Sequence, residues 1–331
     1  MENISFCSVE DIEKLQKFIH EKWKENHILS IDKRLMDFQH KSGNKYNFVI
    51  AKNSKDEITA VLGFIPLSQY DVNLQGHSDL WLALWKVDES SALPGIGFTL
   101  LKWLEEEMQP RSIGAIGINK NVKKIYDILG YKTGVLNQFY ILNPFIKEYH
   151  IAKGDFDRAT GSRPKSSSTI EEIQLDNIET VDFLHSPIKS KAYFENRYLK
   201  HPSYNYFLLG AYTNDVLQAV FVVRRIEVKQ SACLRIIDIQ GKYANIGSVE
   251  DSFISILQRY NSEYIDCLNY GIPEQQFIDW GFNLRNQQTI IPNYFEPFLD
   301  ENVDILFAYK SEEPDYVIFK GDGDQDRPSV L

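Results

Sequence analysis

At 331 residues the chain is long for one domain and natural for two, and a content of 43% hydrophobic and 13% aromatic residues excludes wholesale disorder. A formal net charge of -10 argues against a nucleic-acid partner, which needs clustered Lys and Arg, yet leaves room for a small anion held by local donors. The three scattered cysteines, Cys7, Cys233 and Cys267, make no metal-ligand spacing and fit a reducing compartment. No signal-like segment opens the sequence and no run approaches the ~18 apolar residues of a membrane span, so the expectation is a soluble, cytoplasmic protein without a membrane partner.

Ile12, Leu15, Ile19 and Trp23 recur at helical spacing and predict an amphipathic opening helix. Strands are predicted near 46–52 and 57–65, joined by the polar turn Asn53-Ser54-Lys55-Asp56. The apolar run 80–87 predicts a further strand. It leads into Ala92-Leu93-Pro94-Gly95-Ile96-Gly97-Phe98-Thr99, which opens a helix with Ile96, Leu100, Trp103 and Leu104 on one face. Two glycines let this backbone come close to a ligand, and the free N–H groups of the helix start attract anions. A strand at 113–118, a helix at 120–129 ended by Gly130 and a strand at 135–142 complete an α-β-β-β-α-β-α-β order, which suggests a mixed sheet flanked by helices.

Residues 152–169 carry Gly, Pro and the run Ser166-Ser167-Ser168-Thr169, and read as a linker. The pattern then returns. Tyr46-Asn47-Phe48-Val49-Ile50 is echoed by Tyr204-Asn205-Tyr206-Phe207-Leu208, and Tyr126-Asp127-Ile128-Leu129-Gly130-Tyr131 by Phe277-Ile278-Asp279-Trp280-Gly281-Phe282. The echoes keep one order, so the chain reads as a tandem repeat, with domains at 1–155 and 170–331 and a linker at 156–169. The second copy has diverged at the loop: Ala244-Asn245-Ile246-Gly247-Ser248 has lost a glycine, and the acidic Glu250-Asp251 that follow would repel an anion.

The strand, the glycine loop and the tyrosine-bearing helix, in this order, resemble the GNAT superfamily of N-acyltransferases. The resemblance implies an α/β (α+β) fold of two tandem domains, each a mixed, mostly antiparallel sheet flanked by helices. It also implies acyl-CoA as co-substrate and no metal. Backbone N–H groups of Gly95, Ile96, Gly97, Phe98 and Thr99 would hold the CoA pyrophosphate, aided by the helix dipole. Val87, at the end of the key strand, would offer its N–H to the thioester carbonyl. Asn119, heading the Asn-x-x-Val-x-x-Ile-Tyr run, would touch the pantetheine arm or cap its helix. Tyr126 would protonate the departing thiolate, or else pack in the core. Two departures stand out: Ser91-Ala92-Leu93 replaces the usual Arg or Gln before the glycines, and Pro94 has no N–H. No general base stands out among Asp37, His40, His77, Asp79 and Asp88.

The alternating Asp322, Asp324 and Asp326 invite a calcium reading, but the sixth position of such a loop is Arg327 rather than Gly. That segment, 319–328, and the segment 197–204 resemble stretches of tandem-GNAT acyltransferases of bacterial surface-polysaccharide synthesis. The implied reaction moves an acetyl or 3-hydroxybutanoyl group from acyl-CoA to a dTDP-linked 3-amino-3,6-dideoxyhexose, with Arg197, His201, Arg327, His40 and Trp85 as acceptor-side candidates. Alternatives are acyl transfer to another small amine, a tRNA-dependent aminoacyl transferase, which the acidity opposes, and a non-catalytic CoA-binding protein.

Overall fold

The computed structural model describes residues 2–154, 156, 167–228, 230–294 and 299–328. Most of the expected linker lies outside the described residues. The chain forms two compact units, Met1–Thr133 with Phe307–Glu312 and Gly323–Leu331, and Gly134–Leu306 with Glu313–Asp322.

In the first unit β1 (Asn3–Ser8) precedes α1 (Ile12–Phe18), the single-turn α2 (Ile28–Ile31) and α3 (Lys33–His40). Next come β2 (Lys41–Ser42), β3 (Lys45–Lys52), β4 (Ile58–Pro66) and β5 (Asp79–Val87), then α4 (Ile96–Met108), β6 (Ser112–Ile118), α5 (Lys120–Ile128) and β7 (Lys132–Val135). The following run holds β8 (Asn137–Leu142), β9 (Lys153–Gly154), β10 (Thr169–Ile173), α6 (Lys191–Phe194), β11 (Tyr206–Thr213), β12 (Val216–Val228) and β13 (Ser231–Gly241). It continues through α7 (Glu250–Arg259), β14 (Tyr264–Tyr270), α8 (Glu274–Trp280), β15 (Asn283–Leu284), β16 (Thr289–Ile290), β17 (Leu306–Ser311) and β18 (Ile318–Phe319).

The repeat is visible in the strand orders: β1-β3-β4-β5-β6-β17-β7 in one sheet and β10-β11-β12-β13-β14-β8-β15 in the other. The strand pairs whose register is described are antiparallel except β5 with β6 and β13 with β14, which are parallel. Sequence alone missed β1, a short edge strand, and placed one strand at 135–142. That stretch is two strands in different sheets. Leu136 between them gives its N–H to the Ile305 carbonyl (2.9 Å), and Phe139 of β8 stacks flat on Phe277 with ring centroids 4.1 Å apart. The division between units therefore falls at Thr133–Gly134 rather than at 155, and β17 takes the place in the first sheet that β8 takes in the second.

In the first unit, helix periodicity decides which sheet face each helix covers. Leu15, Phe18, Leu35 and Met36 of α1 and α3 pack with Phe48, Ile50, Val61 and Leu84 on one face. Leu100, Leu101 and Leu104 of α4 pack with Val49, Leu62, Leu80 and Leu82 on the other. Leu82 and Leu84 should share a face in a regular strand, yet they enter opposite cores. The reason is a β-bulge: Leu62 faces Trp85 while Phe64 faces Leu82, so β5 carries one extra residue at Ala83–Leu84. No helix among the described residues is long and apolar enough to cross a membrane.

Candidate functional site

β5 and β6 pair only at Asp79–Leu82 with Ser112–Ala115; beyond that point they do not pair, which leaves a gap in the hydrogen-bonded ladder. Asp79 anchors the closed end. It accepts from Arg111 (2.6 and 3.2 Å) and from Ser112 Oγ (2.6 Å), so it is a structural clamp and not the base that its residue type suggested. Along the open part, Asp88 N–H bonds the Thr59 carbonyl of the β4 side (2.8 Å). Antiparallel alternation then turns the N–H groups of Val87 and Trp85 away from β4, toward the gap. The expected carbonyl-binding position is thus occupied by two candidate donors.

Most N–H donors of the loop before α4 are bonded within the loop or to Glu2. Ser91 and Ala92 N–H bond the Asp88 carbonyl, Leu93 N–H bonds Glu2 Oε1 (3.3 Å), Ile96 N–H bonds the Leu93 carbonyl (3.2 Å) and Thr99 N–H bonds the Gly95 carbonyl (3.1 Å). Pro94 has no donor. Among the described residues the N–H groups of Gly95, Gly97 and Phe98 have no partner, and they lie together at the helix N-terminus, where the dipole favours an anion. Ile96 and Thr99 are corrections: both N–H groups already bond within the loop, and the Ile96 side chain is buried. Glu2 is an addition that sequence reasoning missed, since the fold alone brings it here; its Oε1 also accepts from Thr59 Oγ1 (2.7 Å).

Gly95 and Gly97 are required for different reasons. Gly95 sits at φ 81°, a left-handed conformation that costs side-chain-bearing residues roughly 1–2 kcal/mol. Gly97 lets α4 touch β5: a Cβ there would lie 3.0 Å from Val87 Cγ2 and 3.2 Å from Trp85 Nε1. Trp85 in turn packs on Tyr126 (5.9 Å between centroids), and Tyr126 on Tyr131 (4.9 Å). Loop, strand and tyrosine are therefore one contiguous assembly. Tyr126 is 2% exposed, its hydroxyl makes no hydrogen bond among the described residues, and burial pushes the phenol well above the usual tyrosine range. The group stays protonated. Asn119 caps α5, accepting from Asn121 and Val122 N–H (2.9 Å each); its exposed side chain keeps an amide donor for a ligand.

The other candidates scatter. His40 is fully buried, its Nδ1–H donates to the Phe64 carbonyl (3.1 Å), and burial pushes its pKa down to about 4. Asp37 is tied to Lys33 (2.7 Å) and Tyr46 (2.5 Å). Asp88 holds its own turn through Ser90 and Lys22, and those contacts keep its carboxyl well below the usual range. Of His77 the structure describes only the backbone. Arg327 is paired with Asp324 (2.6 Å) and touches His27 Nε2 (3.1 Å), so it is not a loose cation for a diphosphate. In the second unit Arg197 is 1% exposed with Nη2 on the Gly321 carbonyl (3.4 Å), and His201 is 8% exposed with Nδ1 accepting from Ser203 and Tyr204 N–H (3.1 Å each). Both serve the packing of their own unit. No group of three or more His, Cys, Asp or Glu able to hold a metal occurs among the described residues.

The second unit keeps the same architecture and fills it. Its β12–β13 ladder has the corresponding bulge at Ile237, and β13 pairs with β14 only over Leu234–Ile236. The chain's own residues occupy the space beyond. β18 pairs with β14 at Asn269 and Tyr270, Lys320 N–H bonds the Leu268 carbonyl (3.2 Å) and Gly321 N–H bonds the Ile237 carbonyl (3.2 Å). Gly321 is obligatory, because a Cβ would stand 2.6 Å from that carbonyl oxygen. Two of the loop donors are taken: Gly247 N–H by Ser168 Oγ (2.9 Å) and Val249 N–H by the Trp280 carbonyl (3.2 Å). A cavity of about 800 Å³ borders this loop, lined by Gly247, Ser248, Asp279 and Gly281 among others, with acidic residues at the start of α7.

The plug rests on a buried ionic cluster. Lys189 Nζ lies 2.6 Å from Asp238 and 2.7 Å from Asp322, and Tyr198 donates to Asp238 (2.6 Å). Lys189→Ala would leave two buried carboxylates without their cation, and a loss of roughly 3–5 kcal/mol is expected, measured as a lower denaturant midpoint. Burial, and then the Asp238 charge, push Asp322 from 3.8 up to about 6. The folded chain thus holds this proton longer than the unfolded one. Its contribution to stability is full below about 3.8 and is lost as pH rises through about 6.

No family model matches the chain, and no curated protein matches it. Solved structures share its fold. A GCN5-related N-acetyltransferase from Anabaena variabilis aligns with a TM-score of 0.54 at 12% identity, over 94% of this chain and 72% of that one. A protein from Enterococcus faecalis described as a probable N-acyltransferase aligns with a TM-score of 0.56 at 8% identity, over 93% and 72%. At these identities the likeness establishes the fold: two tandem GNAT-like sheets flanked by helices.

Proposed function

We propose that the chain is an N-acyltransferase whose first unit binds acyl-CoA and transfers its acyl group to an amine by direct attack. The observation that carries this reading is the alignment of three open N–H donors at the start of α4 with a strand gap beside them. Val87 and Trp85 N–H would stabilise the carbonyl oxygen as it gains charge. When the C–S bond breaks, Tyr126 gives its proton to the thiolate; the amine's proton leaves to solvent, and solvent returns a proton to the Tyr126 phenolate. In the second unit β18 and Gly321 occupy the equivalent gap, and the N–H groups of Ile246, Gly247 and Val249 are bonded internally, which supports a single coenzyme site.

The acceptor proposed is a dTDP-linked 3-amino-3,6-dideoxyhexose for surface-polysaccharide synthesis, with an acetyl or 3-hydroxybutanoyl donor. It rests on the resemblance of segments 197–204 and 319–328, which touch through Arg197 and Gly321. Thiol release from acetyl-CoA and 3-hydroxybutanoyl-CoA should appear with dTDP-3-amino sugars and be weaker with dTDP-4-amino and UDP-amino sugars. Turnover confined to polyamines, peptides or aminoglycosides would sink the sugar reading and leave acyl transfer standing. Stabilisation by CoA with no turnover on any amine would point instead to a CoA-binding protein without catalysis.

A further inference from the structure

Resting on the acyltransferase reading, we infer that Gln325 binds the acceptor, its Oε1 receiving an N–H of the amine at the open part of the β5–β6 gap. After Asp322 the chain re-enters the first unit as a strap. A Cβ on Gly323 would lie 3.5 Å from Trp81 Cβ and 3.9 Å from the Leu82 carbonyl, which belongs to the last paired residue before the gap opens. Two residues later the Gln325 carboxamide lies where a side chain of Gly117 would be, and Gly117 is an exposed residue of β6 at φ 73°, in the part that no longer pairs with β5. The strap then ends against His27 through Arg327.

Its place relative to the sheet follows from strand parity. Leu80 and Leu82 belong to the α4 core, so Trp81 and the strap against it lie on the face covered by α1 and α3. The open N–H loop belongs to α4, on the other face. A donor and an acceptor reaching the gap from opposite faces can meet in it without crossing each other. The carboxamide is also oriented: Nε2 donates to Asp324 Oδ1 (3.2 Å), while Asp324 is itself fixed by Arg327 (2.6 Å). Oε1 makes no hydrogen bond among the described residues and is the atom left to accept.

The test measures thiol release from acetyl-CoA with dTDP-3-amino-3,6-dideoxyglucose, or with whichever amine of the panel above turns over best. Gln325→Ala should raise the acceptor KM about 10- to 100-fold. The Kd for CoA and the acceptor-free hydrolysis of acetyl-CoA should stay within about twofold, a separation that a general loosening of the fold would not produce. Gly117→Ala, which expels the carboxamide, should raise the same KM, and the double variant should be no worse than the poorer single one. An acceptor KM unchanged in Gln325→Ala, with CoA binding intact, overturns this inference alone. A wild-type protein that binds CoA yet turns over no amine overturns the acyltransferase reading and this inference with it.

Discussion

Gly97→Asp is expected to raise the Kd for CoA at least about 100-fold, a loss near 3 kcal/mol. The substitution brings a carboxylate into the first turn of α4, next to the residues whose open N–H groups would face the pyrophosphate, and like charges in a partly desolvated site repel strongly. It also introduces a Cβ into the contact with Val87 Cγ2 (3.0 Å) and Trp85 Nε1 (3.2 Å). Gly97→Ala carries that crowding without the charge, so calorimetry on both variants separates the two effects. A loss of about tenfold for Ala and a far larger one for Asp is the expected pattern. Unchanged affinity in the Asp variant would remove this loop from the coenzyme site.

Tyr126→Phe should lower kcat by roughly 10- to 1,000-fold with little change in KM for acyl-CoA. The structure makes this a clean test. The ring contacts with Trp85 and Tyr131 survive in Phe, and the hydroxyl gives up no hydrogen bond among the described residues, so the melting temperature should stay near wild type. Because burial raises the phenol's pKa, its proton should still be available above pH 10, and no loss of kcat on the alkaline side below that pH should trace to this residue. If kcat of the Phe variant stays within a factor of two, Tyr126 is a packing residue and another group protonates the thiolate.

What sequence alone determined was local and periodic. The apolar run of β5, the glycines before α4 and the helix face of Leu100 and Leu104 are encoded within a few residues of one another, and the repeat of whole motifs reveals two similar sheets. Asn119 was legible as a cap for the same reason. Tertiary structure decided what depends on distant pairing. Strand registry exposed the bulge at Ala83–Leu84 and turned the Trp85 and Val87 amides toward the gap. It sent β8 and β17 to sheets that their positions in the chain do not suggest, because each strand's buried face fits the partner core. Ionisable side chains were the least legible. His40, Arg197 and Asp79 have the chemistry of catalytic or binding groups, but burial and fixed partners make them structural. Glu2 carries no motif, and Gln325 was not singled out within its segment; both gain their places only through folding, because a hydrogen bond reads distance in space and not distance along the chain.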